Sequence, residues 1–327
     1  TSTFLLGPSS LLIKSKQRKQ IAFLNPISQE LTATQLSLPT LPNGLLDKAN
    51  AIAYSGDTLW VAAYSGGSTR IYGFNLIAKE QINFPSIVVN GIVRKIIVRD
   101  NLIYVQGDFS NVNVAGQSIE RKGIMVFSNT GAVHPFSINV NPSLIAHIKI
   151  HDNLVYLKGN FNSVNGIVRN WFASVNRFSG ALTDWNPDVV FPYQIDLTKP
   201  FEIVGNDIVF NGIVTRIGSW NNSTGNNTFF VNRITGALSK ALQKGYGQAA
   251  TTFESVAKEK YVFISFANES PCNGAGTGTT YWDVEKLQYA PKCISTGVDK
   301  YNYARELTFA GDKLFAAWSS SGSGRPQ

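Results

Sequence analysis

Charge is scarce in this chain: Asp, Glu, Lys and Arg make up 15% of its 327 residues, against roughly 25% in an average soluble domain. Long apolar runs are missing as well. No stretch approaches the ~18 consecutive apolar residues of a membrane-spanning helix, so no membrane span is expected. There are three histidines and two cysteines. A zinc site on Cys272 and Cys293 would lack further ligands, because His134, His147 and His151 lie far off in sequence. Also absent are His-Glu-x-x-His, Gly-x-Ser-x-Gly, a phosphate-cradling glycine loop and an acidic EF-hand-like loop. No metal, cofactor or catalytic residue is therefore assigned. The chain starts at Thr1 without a signal-peptide pattern and reads as mature or trimmed.

What is present is a β composition. Aromatic residues reach 12% and hydrophobic residues 43%, enough for a large core, and a single all-β domain of this length is ordinary. Low charge, short aromatic runs and polar turns fit an extracellular β protein better than a cytosolic enzyme. The net charge is +8, but Lys14, Lys16, Arg18 and Lys19 supply half of it in one stretch. That run reads as a solvated strand or connecting loop, since the aromatic interleaving of single-strand binders is absent. No nucleic-acid partner is expected. An even cysteine count in such a chain suggests a Cys272–Cys293 disulfide.

The chain is organised around residues 152–187. Asp152-Asn153 is a turn pair, 154–157 a run of strand formers, 159–166 a polar loop closed by Asn165-Gly166, and 171–178 another strand. Ser179-Gly180 then turns the chain toward Trp185-Asn186-Pro187. An earlier copy opens at Asp100-Asn101-Leu102 and a later one at Gly205-Asn206-Asp207. Weaker copies start at Gly56-Asp57, Lys260-Tyr261 and Gly311-Asp312. Aligned on Leu59, Leu102, Leu154, Ile208, Tyr261 and Leu314, the period is roughly 43 to 54 residues, the range of four-stranded propeller blades and too long for most helical repeats.

Several of these residues also carry a resemblance. Gly107-Asp108-Phe109 with Val112-Asn113, Gly159-Asn160-Phe161 with Val164-Asn165, and arginines at a strand start (Arg121, Arg169) form one part of it. The turns Ser179-Gly180-Ala181-Leu182 and Thr235-Gly236-Ala237-Leu238, and Trp185-Asn186-Pro187, form the other. Together they resemble the delta-60-repeat β-propeller family of bacterial surface and secreted proteins, clearest over residues 88–240. The resemblance implies a fold and an envelope or extracellular setting, and no reaction.

The fold class expected is thus all-β, a single propeller over 1–318 followed by a Ser/Gly-rich tail or cut end, 319–327. Five internal blades (46–86, 88–141, 143–190, 194–243 and 247–296) and a closing blade joining 18–38 to 298–318 make six, because an open ring leaves sheet edges unpaired. Strand alternation places the second-to-third loops (107–122, 159–170, 211–228, 267–279) on one face with the links between blades. Long loops on one side of a rigid scaffold are where recognition is normally placed. Cys272 falls in one such loop and Cys293 near the end of a fourth strand pointing at the same face, so a bridge between them is geometrically reasonable.

Most polar candidates recur with the repeat and so read as scaffold. Asp108, Asn111, Asn113, Asn160, Asn162, Asn165 and Gly166 are turn formers. Arg121, Arg169 and Arg216 are stacked or hydrogen-bonded within a blade, and Trp185 packs one. His147, Lys149 and His151 share one side of an inner strand and read as polar residues at a channel rather than metal ligands. The stretch 217–227 breaks the pattern and holds one Trp among amides. Trp220, Asn221, Asn222 and Asn226, with Arg216, are the expected ligand contacts, an apolar plate flanked by hydrogen-bonding groups. The function expected is a non-catalytic recognition or adhesion module binding a protein or glycan. Two alternatives stand beside it: a glycan hydrolase or lyase, whose paired carboxylates could come from different blades, and a structural subunit of a surface assembly.

Overall fold

The computed structural model describes the backbone of residues 3–6, 11–13, 16–18, 21–24, 31–36, 48–142, 144–191, 200–221, 226–243, 251–258, 261–267, 278–283, 288–289, 294–295, 303–310 and 313–319, with side chains chiefly between 49 and 241. Every regular element among them is a β-strand, and no helix is long and apolar enough to cross a membrane.

Tight turns set the pattern. Gly56, Asp100, Asp152 and Gly205 each adopt a positive φ of 50–56° at the first turn position, which a two-residue hairpin turn matched to the strand twist requires. Hairpins then close at Ser55↔Thr58, Arg99↔Leu102, Val204↔Asp207, Lys258↔Tyr261 and Ala310↔Lys313, with a further one turning at Asp152-Asn153. These turns make Thr58, Leu102, Leu154, Asp207, Tyr261 and Lys313 equivalent. The alignment on Leu59, Ile208 and Leu314 is therefore one residue out, and in a strand one residue exchanges the two faces.

The chain forms two compact units. The first comprises 1–145, 163–167 and 176–181, and the second 146–162, 168–175 and 182–327. In the first, Lys48–Ser55, Thr58–Ser65, Ser68–Asn75 and Glu80–Gln81 form a meander, while Ile87–Arg99, Leu102–Val114 and Ile124–Ser128 form the next repeat. Trp60, Ile71, Val89, Ile103, Met125 and Phe127 pack in its core. Strands Thr3–Leu6, Ile21–Leu24 and Leu31–Leu36 make a separate three-stranded sheet.

In the second unit, Phe201–Val204, Asp207–Ile213, Asn226–Asn232 and Leu238–Gln243 form a complete four-stranded sheet. Its Phe210, Phe229 and Val231 share a core with Tyr156, Phe172 and Trp185. Thr251–Lys258, Tyr261–Ala267 and Gly278–Asp283 form another sheet, and Tyr303–Ala310 pairs with Lys313–Ser319.

The fourth strand is where sheets depart from the expected four. After Ile124–Ser128 it shrinks to the bridge Phe127↔Val133, and after Phe172–Asn176 to Val175↔Leu182. The chain then leaves its own sheet and pairs with the long loop of the following repeat: Val140↔Val164 and Asn141↔Ser163 in one copy, Val189↔Ile217 and Val190↔Arg216 in another. Earlier, Ile87, Val88 and Val89 pair with Val114, Asn113 and Val112 in the same way. Each of these three links between repeats is thus a stitch of β-pairing.

Aromatic latches reinforce the stitches. In the second unit Trp185 packs edge-on against Tyr156 (centroids 5.3 Å apart) and donates from Nε1 to the Asn232 carbonyl at 2.9 Å, while the Tyr156 hydroxyl donates to the Arg233 carbonyl at 2.9 Å. In the first unit Phe136 meets Tyr104 edge-on at 6.4 Å, and Arg177 reaches Asp100 at 2.6 Å. Arg233 repeats that contact with Asp152 at 3.2 Å. Burial pushes both phenols above their usual range, so they stay protonated donors.

Candidate functional site

The second-to-third loops are built from the same stitch. Beyond Phe109, Phe161 and Val214, all buried, comes a second buried apolar residue three positions on: Val112, Val164 and Ile217. That residue anchors a hairpin to the link strand, and the chain reverses at Ala115-Gly116, Asn165-Gly166 and Gly218-Ser219. The return arms are Gln117–Glu120, Ile167–Val168 and Trp220–Asn221. Two small three-stranded sheets result, and the first hairpin extends the large sheet of the first unit, where irregular loops were expected.

The hairpins are held against the links between repeats. Their tips hydrogen-bond to the link: Ala115 N to Ser86 O (2.9 Å), Asn165 N to Asn139 O (2.7 Å) and Gly218 N to Pro187 O (3.1 Å). Those link residues border the third-to-fourth turn of the same repeat, whose Gly131, Gly180 and Gly236 abut Pro85, Ser137 and Asn186. Asn165 Nδ2 donates to the Gly180 carbonyl itself at 3.0 Å. The long loops therefore fold back along their own sheets, because hydrophobic anchoring at Val112, Val164 and Ile217 pins them down.

This placement corrects the reading of the fourth hairpin. Trp220 keeps to the repeat: it occupies the position of Ile167, across the tip from the buried anchor. It is half-buried, edge-on to Phe229 with centroids 5.6 Å apart, so its ring is committed to packing. Asn221 is exposed beside it. Arg216 is held by Asp188 through two hydrogen bonds (2.5 and 3.0 Å) and reaches the Gly218 carbonyl at 3.3 Å. Only the backbone of Asn226 is described, at the start of Asn226–Asn232, and Asn222, Cys272 and Cys293 lie outside the described residues. Arg216 is also out of register with Arg121 and Arg169, which lie three residues before the third strands Ile124–Ser128 and Phe172–Asn176. Those two arginines donate to the carbonyls of Glu120 and Val168, each 2.9 Å away. Trp220→Ala should cost about 1–2 kcal/mol in chemical denaturation, below the ~3–5 kcal/mol of a fully buried tryptophan. An unshifted midpoint would show that the ring does not pack.

The recurring amides act as the turn chemistry suggests. Asn165 Oδ1 accepts Asn139 N–H at 2.8 Å, and Asn113 Oδ1 accepts Gly116 N–H at 2.9 Å. Asp108 is bonded by Arg94. On the inner strand, Lys149 pairs with Glu202 at 2.6 Å and His151 lies 2.9 Å from Asp152. Among the described residues no group of three or more His, Cys, Asp or Glu could hold a metal.

His134 accepts Phe136 N–H on Nδ1 at 3.2 Å, and burial lowers its affinity for a proton. The unfolded chain then takes up the proton first as pH falls, so this histidine's contribution to stability is complete above about pH 6.5 and lost below it. His134→Asn, which keeps an acceptor that does not titrate, should shrink the loss of stability between pH 7.5 and 5.5. An unchanged loss would place the titration elsewhere.

One cleft opens among the hairpins of the first unit. It holds about 340 Å³ and is lined by Lys122, Asn139, Val140, Asn141, Ser163 and Gly166. Sequence reasoning missed it, because the strand ladders and not the period align Ser163 with Arg216 and Asn139 with Asp188.

No family model matches the chain, nor does any curated protein sequence. Solved structures do resemble it. YCF48 bound to D1 peptide is 8% identical with a TM-score of 0.58, over 99% of this chain and 90% of that one. BamB from Moraxella catarrhalis is 10% identical with a TM-score of 0.50, over 96% and 95%. Both are propeller-like, and at these identities the likeness is one of fold alone: the chain has a β-propeller-like fold of antiparallel sheets.

Proposed function

We propose that this chain is a non-catalytic recognition module from a bacterial surface or secreted protein of the delta-60-repeat type. We place its six blades on the six hairpins described above, with the closing blade shared by the two chain ends. The observation that carries the proposal is the stitched hairpin. Three copies hold their backbones by pairing to the links and turn polar groups such as Asn139, Asn141 and Asn221 outward. Rigid elements presenting polar groups bind with less ordering cost than free loops.

The ligand we favour is a protein segment. Trp220 is spent on Phe229, which removes the plate a sugar would stack on, and the fold neighbour YCF48 was solved with a peptide bound. The test is a peptide-display selection run beside a glycan array, with hits titrated against two variants. One carries Asn141→Lys on a link and Asn221→Lys on a hairpin; the other carries Ile77→Asp and Phe178→Asp on turn tips. Peptide binding lost only in the first supports the proposal. Loss only in the second, or binding of glycans alone, rejects it.

A second reading draws on those turn tips. Asn75, Asn176 and Asn232 each accept the next-but-one N–H at 2.9–3.0 Å, which lifts Ile77, Phe178 and Ile234 into solvent with 73%, 41% and 66% exposure. One repeat position exposing large apolar groups favours packing of copies against each other. Sedimentation would then show concentration-dependent association, abolished by Ile77→Asp with Phe178→Asp.

A further inference from the structure

Two neighbouring hairpins differ at the positions that face each other across the stitch. In the fourth repeat these are Arg216, paired in the ladder with Val190, and Asp188, which precedes the buried Val189. The guanidinium and carboxylate grip each other at 2.5 and 3.0 Å and fill the space. In the third repeat the same positions are Ser163, paired with Asn141, and Asn139, which precedes the buried Val140. Both are small and neutral, and the cleft of about 340 Å³ opens there. The third hairpin has the stitch of the fourth without the internal ion pair.

We infer that this cleft is a subsite for a carboxylate of a bound peptide. Lys122 is the one charged group lining it among the described residues, so a cation is repelled and an anion attracted. Among the described residues the side chains of Asn139, Asn141 and Ser163 make no hydrogen bond within the protein, so two amide groups and a hydroxyl remain free to donate to ligand oxygens. No aromatic ring among the described residues lines the cleft, so its lining offers hydrogen-bonding groups rather than a stacking plate. Lys122 does contact Glu120 at 3.2 Å, but that carboxylate is 70% exposed, and an exposed pair of this kind is weak enough to give way. The net charge of +8 favours approach of an acidic segment.

The inference rests on recognition by the hairpins as proposed above, and its test separates the two. Three blocked peptides are titrated by amide NMR: one with internal glutamates, one with a free C-terminal carboxylate and neutral side chains, and a neutral control with glutamine and an amidated end. Shifts should be confined to 122, 139–141 and 163–166, saturate for at least one carboxylate peptide, and be absent for the control. Which of the first two binds identifies the source of the carboxylate. Lys122→Gln should weaken binding roughly fivefold, the upper range for one partly exposed charge pair. Asn139→Asp with Ser163→Arg, which rebuilds the pair of the fourth repeat, should abolish it. Equal binding of the control, no binding, or indifference to these substitutions overturns the inference. Shifts centred on 220–221 overturn the cleft and leave hairpin recognition standing, whereas shifts centred on the turn tips overturn both.

Discussion

Trp185→Ala should destabilise the protein by about 3–5 kcal/mol, the range for a fully buried aromatic side chain. The indole is 4% exposed and serves three partners at once. Its ring meets the Tyr156 ring in a T-shaped contact, its body belongs to the core with Phe201, Phe210 and Phe229, and its N–H satisfies the Asn232 carbonyl. Truncation leaves a cavity and also strands that carbonyl, which adds to the transfer cost. Trp185→Phe keeps most of the volume but lacks the donor, so it should recover more than half of the loss. Urea denaturation of the three proteins measures this. A loss under about 1 kcal/mol for alanine would mean that the ring does not join the repeats it touches.

Gly180→Ala should cost about 2–4 kcal/mol although it removes no contact. Two effects combine. The backbone stands at φ +79°, where an L side chain is strained, and an added Cβ would sit 2.1 Å from the Ser137 carbonyl oxygen. That oxygen is backbone and cannot swing away, so the turn and the link must separate. Gly56→Ala is the control: its φ is +56° but nothing lies within 4 Å of the added atom, so only the conformational cost of about 1 kcal/mol applies. Similar losses at both sites would show that the turn and the link are not in close contact.

How far the sequence could be read depended on the range of each interaction. Turns and strands are local, so Asp100-Asn101, Asp152-Asn153 and Gly205-Asn206 were legible, and with them the repeat. Register was less so: Leu59 and Ile208 look like counterparts of Leu102, but the turns place Thr58 and Asp207 there. Apolar runs such as 59–63 lack the alternation that would mark the face. The hairpins show in the sequence as Phe-x-x-Val-Asn but read as loops, because a lone buried Val164 gives no strand signal until its partner Val140, on the link, is known.

The candidate site suffered most. Trp220 stood out as an aromatic among amides, yet Phe229, which covers it, comes nine residues later on another strand. Arg216 and Asp188 sit on different strands, so their pairing needed the stitch. The cleft at Ser163 is defined by what is missing relative to Arg216, a comparison that only a correct register permits.

The central claim is that the long hairpins are paired to the links between repeats. Hydrogen exchange over peptides covering 112–120, 162–168 and 215–221 tests it most directly. The amides of Ala115, Asn165, Thr215 and Gly218 all donate to link carbonyls, so these peptides should exchange as slowly as the strands Leu102–Val114 and Leu154–Asn160 to which they are joined. Complete exchange at the earliest time point, with those strands still protected, would contradict the stitch and the rigid binding surface built on it.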